Sequence, residues 1–441
     1  MARSSLQPEN QARKRELNVW WFSQYASTPD QQLTAQYDLA KGLVDRGHRV
    51  TIFAAGFSHY RFKEIRLNAT EKWRADEHEG VRFIWIKTTP YSSNDWKRIA
   101  NMCSYAWRAY RLARSWNEKP DVIIGTTIHP LAALSAYGLS VVKRRPFVFE
   151  VRDLWPLTLV QFARISARNP VALVLGTLER FLAGRSKLLL STLPGAAEYF
   201  SQLGISKEKV VWIPNGLQLS RYANLKPYNG QISKPCTLVY AGGHVQANAL
   251  DTVLRAAQID QQNGNGARFV FVGGGQEKPK LIQLARELNL RNVEFRDAVP
   301  KKELYRVMEE ADAFILSIQD LPELYRYGIS LNKLCDYVAA GRPVLFAGNP
   351  SNNFVEEFRC GIVVPPENPQ AFAAAIRLFE DMTPEQRAEM GRNGIRCAKE
   401  RFDMKMLADR FEESLLSLVQ EPTSIHKGEK IRSHAVPSEI S

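Results

Sequence analysis

Short apolar runs separated by amphipathic stretches recur from residue 17 almost to the end of the chain. Runs at 17–23 (LNVWWFS), 49–54 (RVTIFA), 81–87 (VRFIWIK), 121–125 (DVIIG), 146–151 (PFVFEV), 187–192 (KLLLST) and 210–214 (VVWIP) predict strands. They are too short for buried helices and rich in β-branched and aromatic residues, so a sheet covered on both faces is expected. Between them a 3.6-residue period predicts helices, as at 36–46 with a stop at Gly47. A polar stretch at 214–235, opened by Pro-Asn-Gly, predicts a linker. The alternation then restarts with TLVYAGG, RFVFVGGG, VEFR, AFILS and RPVLFAG as strands, and closes in helical patterns at 369–380, 384–399 and 405–419. The expected fold class is α/β, with two Rossmann-like parallel-sheet domains at 17–213 and 236–400. A helix at 401–420 follows, and polar tails at 1–16 and 421–441 read as disordered.

One stretch, 327–345 (YGISLNKLCDYVAAGRPVL), carries the densest polar information. Gly328 and Ser330 read as turn and cap, and Gly341 and Pro343 end a short helix. On its wheel Leu331, Leu334, Cys335 and Val338 share one side, with Asn332, Lys333 and Asp336 on the other. An amide, a cation and a carboxylate near a helix N-terminus suit a ligand with phosphates and sugar hydroxyls, although the same residues could be a solvated face.

Composition narrows the classes. The 441 residues carry a net charge of +13, which points to an anionic partner. Five cysteines lack any C-x-x-C spacing and read as reduced thiols. Nothing resembles a zinc finger, recognition helix or RNA-binding signature, so nucleic acid is not expected. No apolar run is long enough to span a bilayer, and the start lacks a signal peptide's apolar core, so a cytoplasmic protein is expected. Residues 96–116 nevertheless place Arg108, Arg111 and Arg114 among aromatics, and 169–185 adds an amphipathic segment. Together they suit peripheral attachment to the anionic inner face of a membrane, or are core aromatics beside solvated arginines.

Candidate chemistry sits at predicted strand ends. Gly242 and Gly243, after the second half's first strand, are where a backbone approaches a pyrophosphate most easily. The glycines at 273–275 are a weaker candidate, because G-x-G-x-x-G is absent. Glu150, Arg152 and Asp153 end a buried strand, either as a functional cluster or as a structural ion pair. His129 follows another strand end, where a structural histidine and a catalytic one are both consistent with the sequence.

The ordered set GHRVTIF, PDVIIG, FEVRDLWP, VVWIPNG, YAGGH, FVGGG, NKLCDYVAAGRPVL and GIVVPPENP resembles retaining GT-B glycosyltransferases of family four, specifically the branch with L-fucosamine transferases of O-antigen assembly. The resemblance implies a central cleft, a nucleotide-sugar donor held by the second domain, and a last helix crossing back to the first. It implies no metal and no cofactor, the donor being a substrate. Asp336 matches the acidic residue that binds the nucleotide ribose, while Gly328 stands where the family's first motif Glu would be. The family's phosphate-binding Arg and Lys fall near Gly243 and Asn248, so Lys333, Arg326 and the N–H groups of Ser330, Leu331 and Asn332 are the expected replacements. Ala298 and Val299 would frame the base. Glu150 and Arg152 join the substrate site, and His129, Asp153 and Lys333 would carry catalysis. The implied reaction moves an N-acetylated amino sugar or deoxysugar, from UDP, to a lipid-linked acceptor of surface-polysaccharide synthesis. A sugar-nucleotide epimerase and a non-catalytic partner subunit share the architecture.

Overall fold

The computed structural model describes residues 15–29, 35–59, 61–92, 96–127, 129–264 and 266–419; the expected tails lie outside these, except residues 15 and 16. The first half forms β1 (Asn18–Phe22), β2 (Arg49–Ala55), a small hairpin of β3 (Phe57–Ser58) and β4 (Lys63–Glu64), β5 (Trp73–His78), β6 (Val81–Ile86), β7 (Val122–Thr126), β8 (Phe147–Val151), β9 (Leu188–Ser191) and β10 (Val210–Trp212). Apart from the hairpin these make one sheet of order β10-β9-β8-β7-β1-β2-β6-β5, parallel except where β5 runs against β6. Residues 73–78 (WRADEH) alternate exposed and half-buried positions, and the sequence pattern missed this strand because its side chains are mostly polar. An antiparallel edge strand needs only one apolar face, so it lacks the continuous apolar run of its buried neighbours.

The second half supplies β11 (Thr237–Ala241), β12 (Arg268–Val272), β13 (Val293–Arg296), β14 (Ala313–Ser317), β15 (Val344–Ala347) and β16 (Gly361–Val364), an all-parallel sheet of order β13-β12-β11-β14-β15-β16. Both sheets are buried on two faces. In β1, Trp20 and Phe22 enter one core while Val19 and Trp21 enter the other; in β11, Val239 and Ala241 part from Leu238 and Tyr240 in the same way. That period of two is the reason each strand reads as unbroken apolar sequence.

The chain crosses between the two sheets twice, and the crossings are bonded together. Leu217 N–H donates to Phe402 O at 2.9 Å, and Met404 N–H donates to Leu217 O at 3.0 Å. The helix Met404–Leu416 then packs on the first half, with Met404, Leu407, Phe411 and Leu415 in the core that holds Leu17, Val19 and Trp21. Its approach requires Gly42, where a Cβ would lie 2.5 Å from that of Ala408. Buried His48 fixes the register, accepting from Leu17 N–H at 3.0 Å through Nδ1 and pairing Nε2 with Glu412 at 2.8 Å.

A second contact joins the halves at residues 193–202 and 325–329. Gly195 N–H donates to Tyr327 O at 3.0 Å, the rings of Tyr199 and Tyr327 meet edge to face at 5.3 Å, and Tyr327 Oη donates to Gln202 at 3.1 Å.

Candidate functional site

The loop leaving β11 and the helix Asn332–Ala339 meet at the carboxyl end of the second sheet. Tyr337, on the buried face of that helix, accepts from Ala241 N–H at 2.8 Å and donates to Ala241 O at 3.1 Å, which locks helix to strand. Beyond it Gly242 lies against Lys333, whose Cε would be 3.4 Å from a Cβ at that position. The Lys333 ammonium donates to Tyr240 Oη at 3.2 Å and to Asn248 Oδ1, and lies 5.0 Å from the Tyr240 ring centre. Tyr240 Oη and Asn248 Nδ2 both donate to Gly243 O, at 2.7 and 2.8 Å. Asn248, at the position where the family pattern has a cation, thus holds the loop and the lysine together.

No carboxylate among the described residues pairs with Lys333. Burial lowers its proton affinity from the ordinary lysine value to about 7, because nothing nearby offsets the loss of water around the ammonium. The helix starts at Leu331 without a side-chain cap, and no acceptor among the described residues takes the backbone N–H groups of Leu331, Asn332 and Lys333. A cation without a carboxylate and open N–H groups on the same helix end are groups that can receive an anion.

Asp336 faces a different neighbour. Tyr222 Oη donates to its carboxylate, and the adjacent Arg221 forks onto buried Asp38 of the first half at 2.7 and 3.0 Å. Consecutive residues of the crossing segment therefore touch the candidate ribose-binding carboxylate and the first domain. Arg326 is exposed, paired with Glu323 at 3.7 Å and set over the Tyr327 ring, with no contact to Lys333, Tyr240 or Asn248. Ala298 is exposed and Val299 half-buried in the loop after β13. The glycines at 273–275 pack against the β11 exit. A Cβ on Gly273, at φ +146°, would lie 2.0 Å from Gly242 O, and one on Gly275, at φ +148°, 2.2 Å from His244 O. Close backbone approach accounts for both residues.

Gly328, in place of a glutamate, has φ +90°, and a Cβ there would come 2.6 Å from Pro194 Cγ and 2.9 Å from Asn352 Oδ1. Its neighbours in the fold are thus the first domain and Asn352, whose Oδ1 accepts from Ile329 N–H at 2.7 Å.

On the first-domain side, Glu150 is 4% exposed and accepts from Trp21 Nε1 at 3.0 Å, from Thr126 Oγ1 and from Arg152 Nη1 at 3.2 Å. Arg152 also donates to Asn215 Oδ1 at 2.6 Å. Asn215 in turn donates Nδ2 to Ser330 O at 3.0 Å and its backbone N–H to Ser330 Oγ at 3.2 Å. This relay runs from the β8 end, through the Pro-Asn-Gly turn, to the residue before the helix N-terminus. Asn215 and Tyr222 were missed by sequence reasoning, which read 214–235 as linker; an amide beside a domain crossing was the available signal. Asp153 stays accessible, makes no hydrogen bond or ion pair among the described residues, and has its carboxyl raised by surrounding protein against the pull of Arg152.

His129 caps the helix Pro130–Lys143, its Nδ1 accepting from Ala132 N–H at 3.4 Å. Burial, with Arg98 nearby, holds the ring neutral with a value near 3, and its Nε2 has no partner among the described residues. The site residues thus fall into a second-domain group at Gly242, Gly243, Lys333 and Asp336, and a first-domain row at His129, Glu150, Arg152 and Asp153. Arg326, Ala298 and Val299 lie outside both contact networks.

Two family models match. A glycosyl transferase 4-like domain covers residues 33–216, and glycosyl transferases group 1 covers residues 235–381. The chain belongs to this family of GT-B glycosyltransferases. Among curated relatives, the chain is 24% identical over 277 residues to the putative colanic acid biosynthesis glycosyl transferase WcaI of Escherichia coli, across 58% of this chain and 66% of that protein. It is 32% identical over 138 residues to the D-rhamnosyltransferase WbpZ of Pseudomonas aeruginosa, across 31% of this chain and 34% of that one. The matches thus span about two thirds and one third of those proteins. The solved structure of Anabaena Alr3699/HepE in complex with UDP-glucose superposes with a TM-score of 0.66 at 18% identity, over 91% of this GT-B chain and all of that one. That likeness concerns the fold.

Proposed function

We propose that the protein is a metal-independent, retaining transferase that moves a sugar from UDP to a lipid-linked acceptor in bacterial surface-polysaccharide assembly. The observation that carries the reading is Lys333: a cation without a carboxylate, bound to Asn248 at the exit of β11 and beside the open helix N–H groups. A diphosphate placed there receives both, and the same groups stabilise the charge that grows on the leaving diphosphate. Asp336, oriented by Tyr222, accepts from the ribose hydroxyls. The neutral His129 and the accessible Asp153, both from the first domain, position the acceptor hydroxyl in this reading. The retaining outcome and the amino- or deoxysugar donor follow from the family resemblance. The relatives, a colanic acid transferase, a rhamnosyltransferase and a fold neighbour solved with UDP-glucose, support the substrate class.

Membrane attachment is proposed for the surface formed by three helices that pack side by side, Trp96–Ser115, Pro130–Lys143 and Pro170–Arg185. They expose Trp96, Ile99, Trp107, Val141, Val142, Val171, Leu173 and Val174 beside Arg111, Arg114 and Arg144. Among the described residues no helix is long and apolar enough to cross a membrane, and exposed aromatic and aliphatic side chains beside arginines suit contact with an anionic surface.

Calorimetry with UDP and with other nucleoside diphosphates tests the donor assignment, and proton NMR of the anomeric product tests retention. UDP should bind in preference to GDP and ADP. Equal binding of all three would refute the base, and an inverted product would refute the mechanism. UDP binding without turnover over a wide donor panel would assign the chain to the non-catalytic reading.

A further inference from the structure

The first domain holds a cavity of about 90 Å³ at the carboxyl ends of β1 and β2. Its walls come from the loop after β1 (Gln24 to Ser27), the turn from β2 into β3 (Ala55 to His59), Arg61, Ile65, Arg66 and the ring of Trp85. In the sheet order β2-β1-β7-β8 it lies on the same edge as His129 and Asp153, and the rings of Tyr25 and His129 meet edge to face at 5.9 Å.

Three features mark this space as built for a ligand. Two lining groups are buried without protein partners among the described residues: Gln24 Oε1, an acceptor, and Trp85 Nε1, a donor. Both residues are at least 97% buried, so the two groups lack bulk water as well. Cations surround the space. Arg61 is exposed at its rim, and Arg66 lies 4.5 Å over the Trp85 ring while donating to Thr28. Arg98 acts on both His59 and His129. Among the described residues Glu64 is the facing acid, and it is occupied by the backbone N–H groups of Ile65, Arg66 and Leu67 at 3.0 to 3.2 Å. Finally, Tyr25, Phe57 and His59 give the space an aromatic wall, and Tyr91 packs against the rings of Phe57 and His59. Aromatic faces receive the C–H side of a pyranose, Trp85 N–H and the arginines receive an anionic substituent, and Gln24 Oε1 receives a hydroxyl.

We propose that this cavity is a subsite for an anionic sugar of the acceptor, a pyranose bearing a carboxylate or a phosphate, next to the transfer site. The proposal rests on the transferase reading and adds the acceptor's chemical class. His59 reports on it. Burial and Arg98 hold its ring neutral, near 4, and an anion seated beside it must raise that value.

The test uses the full chain, with methyl glucuronide, glucose 6-phosphate, methyl glucoside and inorganic phosphate as probes and the His59 ring followed by NMR. Either anionic sugar should bind saturably and move the His59 titration upward, and the better of the two identifies the anion. Methyl glucoside should bind at least fivefold more weakly. Arg61→Ala and Trp85→Phe, which removes the N–H and keeps an aromatic ring, should each weaken the anionic sugar at least fivefold with UDP affinity unchanged. Equal binding of the neutral glycoside, a stationary His59, or no binding of any sugar overturns the subsite. Phosphate binding as tightly as the sugars makes it a free-anion site and overturns the sugar assignment. Loss of UDP binding in the wild type would instead refute the donor reading, so the two failures are distinguishable.

Discussion

Replacing Lys333 by Met should make the fold more stable and the donor site weaker. The ammonium's affinity for its proton falls from an ordinary value of 10.5 to about 7 on folding. Each tenfold loss corresponds to about 1.4 kcal/mol, so the charged form costs the folded state on the order of 3–5 kcal/mol below pH 7. Methionine removes that cost but leaves Asn248 Oδ1 and Tyr240 Oη without their donor, a loss of about 1–3 kcal/mol. At mid-range a net gain of about 2 kcal/mol remains at pH 6, or about 4–8 °C in the melting of a domain this size. The sign follows from proton counting. Between pH 7 and 10.5 the unfolded chain binds the proton that the folded wild type has released, so wild-type stability rises with pH there and the advantage of Met should shrink. Donor binding should move oppositely, because losing a charged partner costs about 1.5–3 kcal/mol, roughly ten- to hundredfold in affinity for UDP. Calorimetry in buffers of different ionisation enthalpy should also show proton uptake on binding at pH 8 that the variant lacks. A folded variant with wild-type affinity, or one destabilised equally at pH 6 and pH 9, would refute the reasoning.

Asn215→Ala should leave UDP affinity within about twofold but raise donor hydrolysis relative to transfer, since Arg152 and Ser330 lose their common partner; an unchanged ratio counts against the relay. Asp336→Ala should weaken UDP at least tenfold and Tyr222→Phe by less, as read by calorimetry, and the reverse order would remove Asp336 from the ribose. Transfer should survive EDTA under the proposed mechanism, in which Lys333 and the helix N–H groups take the diphosphate, and loss with rescue by Mn²⁺ would contradict it. Flotation with anionic liposomes should carry the protein at low salt and release it at 1 M, and Trp96→Ser with Trp107→Ser should reduce capture severalfold.

The strands that place the site were legible because both sheets are buried on two faces, so β1, β7, β8, β11 and β14 read as plain apolar runs. So was the two-sided helix at 332–339, where Leu334, Cys335 and Val338 are buried and Asn332 is exposed. Side-chain partners were not legible, because they depend on where the chain crosses between sheets. Asn215 and Tyr222 fall in a polar stretch whose composition says linker, and only their approach to Ser330 and Asp336 makes them part of the site. Arg326 is a separate case. Sequence adjacency put it near the helix N-terminus, yet its neighbours are Glu323 and the Tyr327 ring.

The departures from the family's motif then form one correlated change under the donor reading. A glutamate at 328 would need a Cβ where Pro194 Cγ lies at 2.6 Å and a backbone at φ +90°, which only glycine adopts without strain. Glycine at 328 therefore goes with the close contact between 193–202 and 325–329, in which Gly195 and Tyr327 are hydrogen-bonded. That contact places Ser330, two residues later, within reach of Asn215 and so of Arg152. The missing phosphate cations are met from the same helix, since Lys333 ends on Asn248, where the family pattern would have a lysine of its own. A positive charge thus reaches the β11 exit from the helix instead of from the loop. Its cost in desolvation stays within the second domain, and its alignment with the first depends on the Ser330 relay.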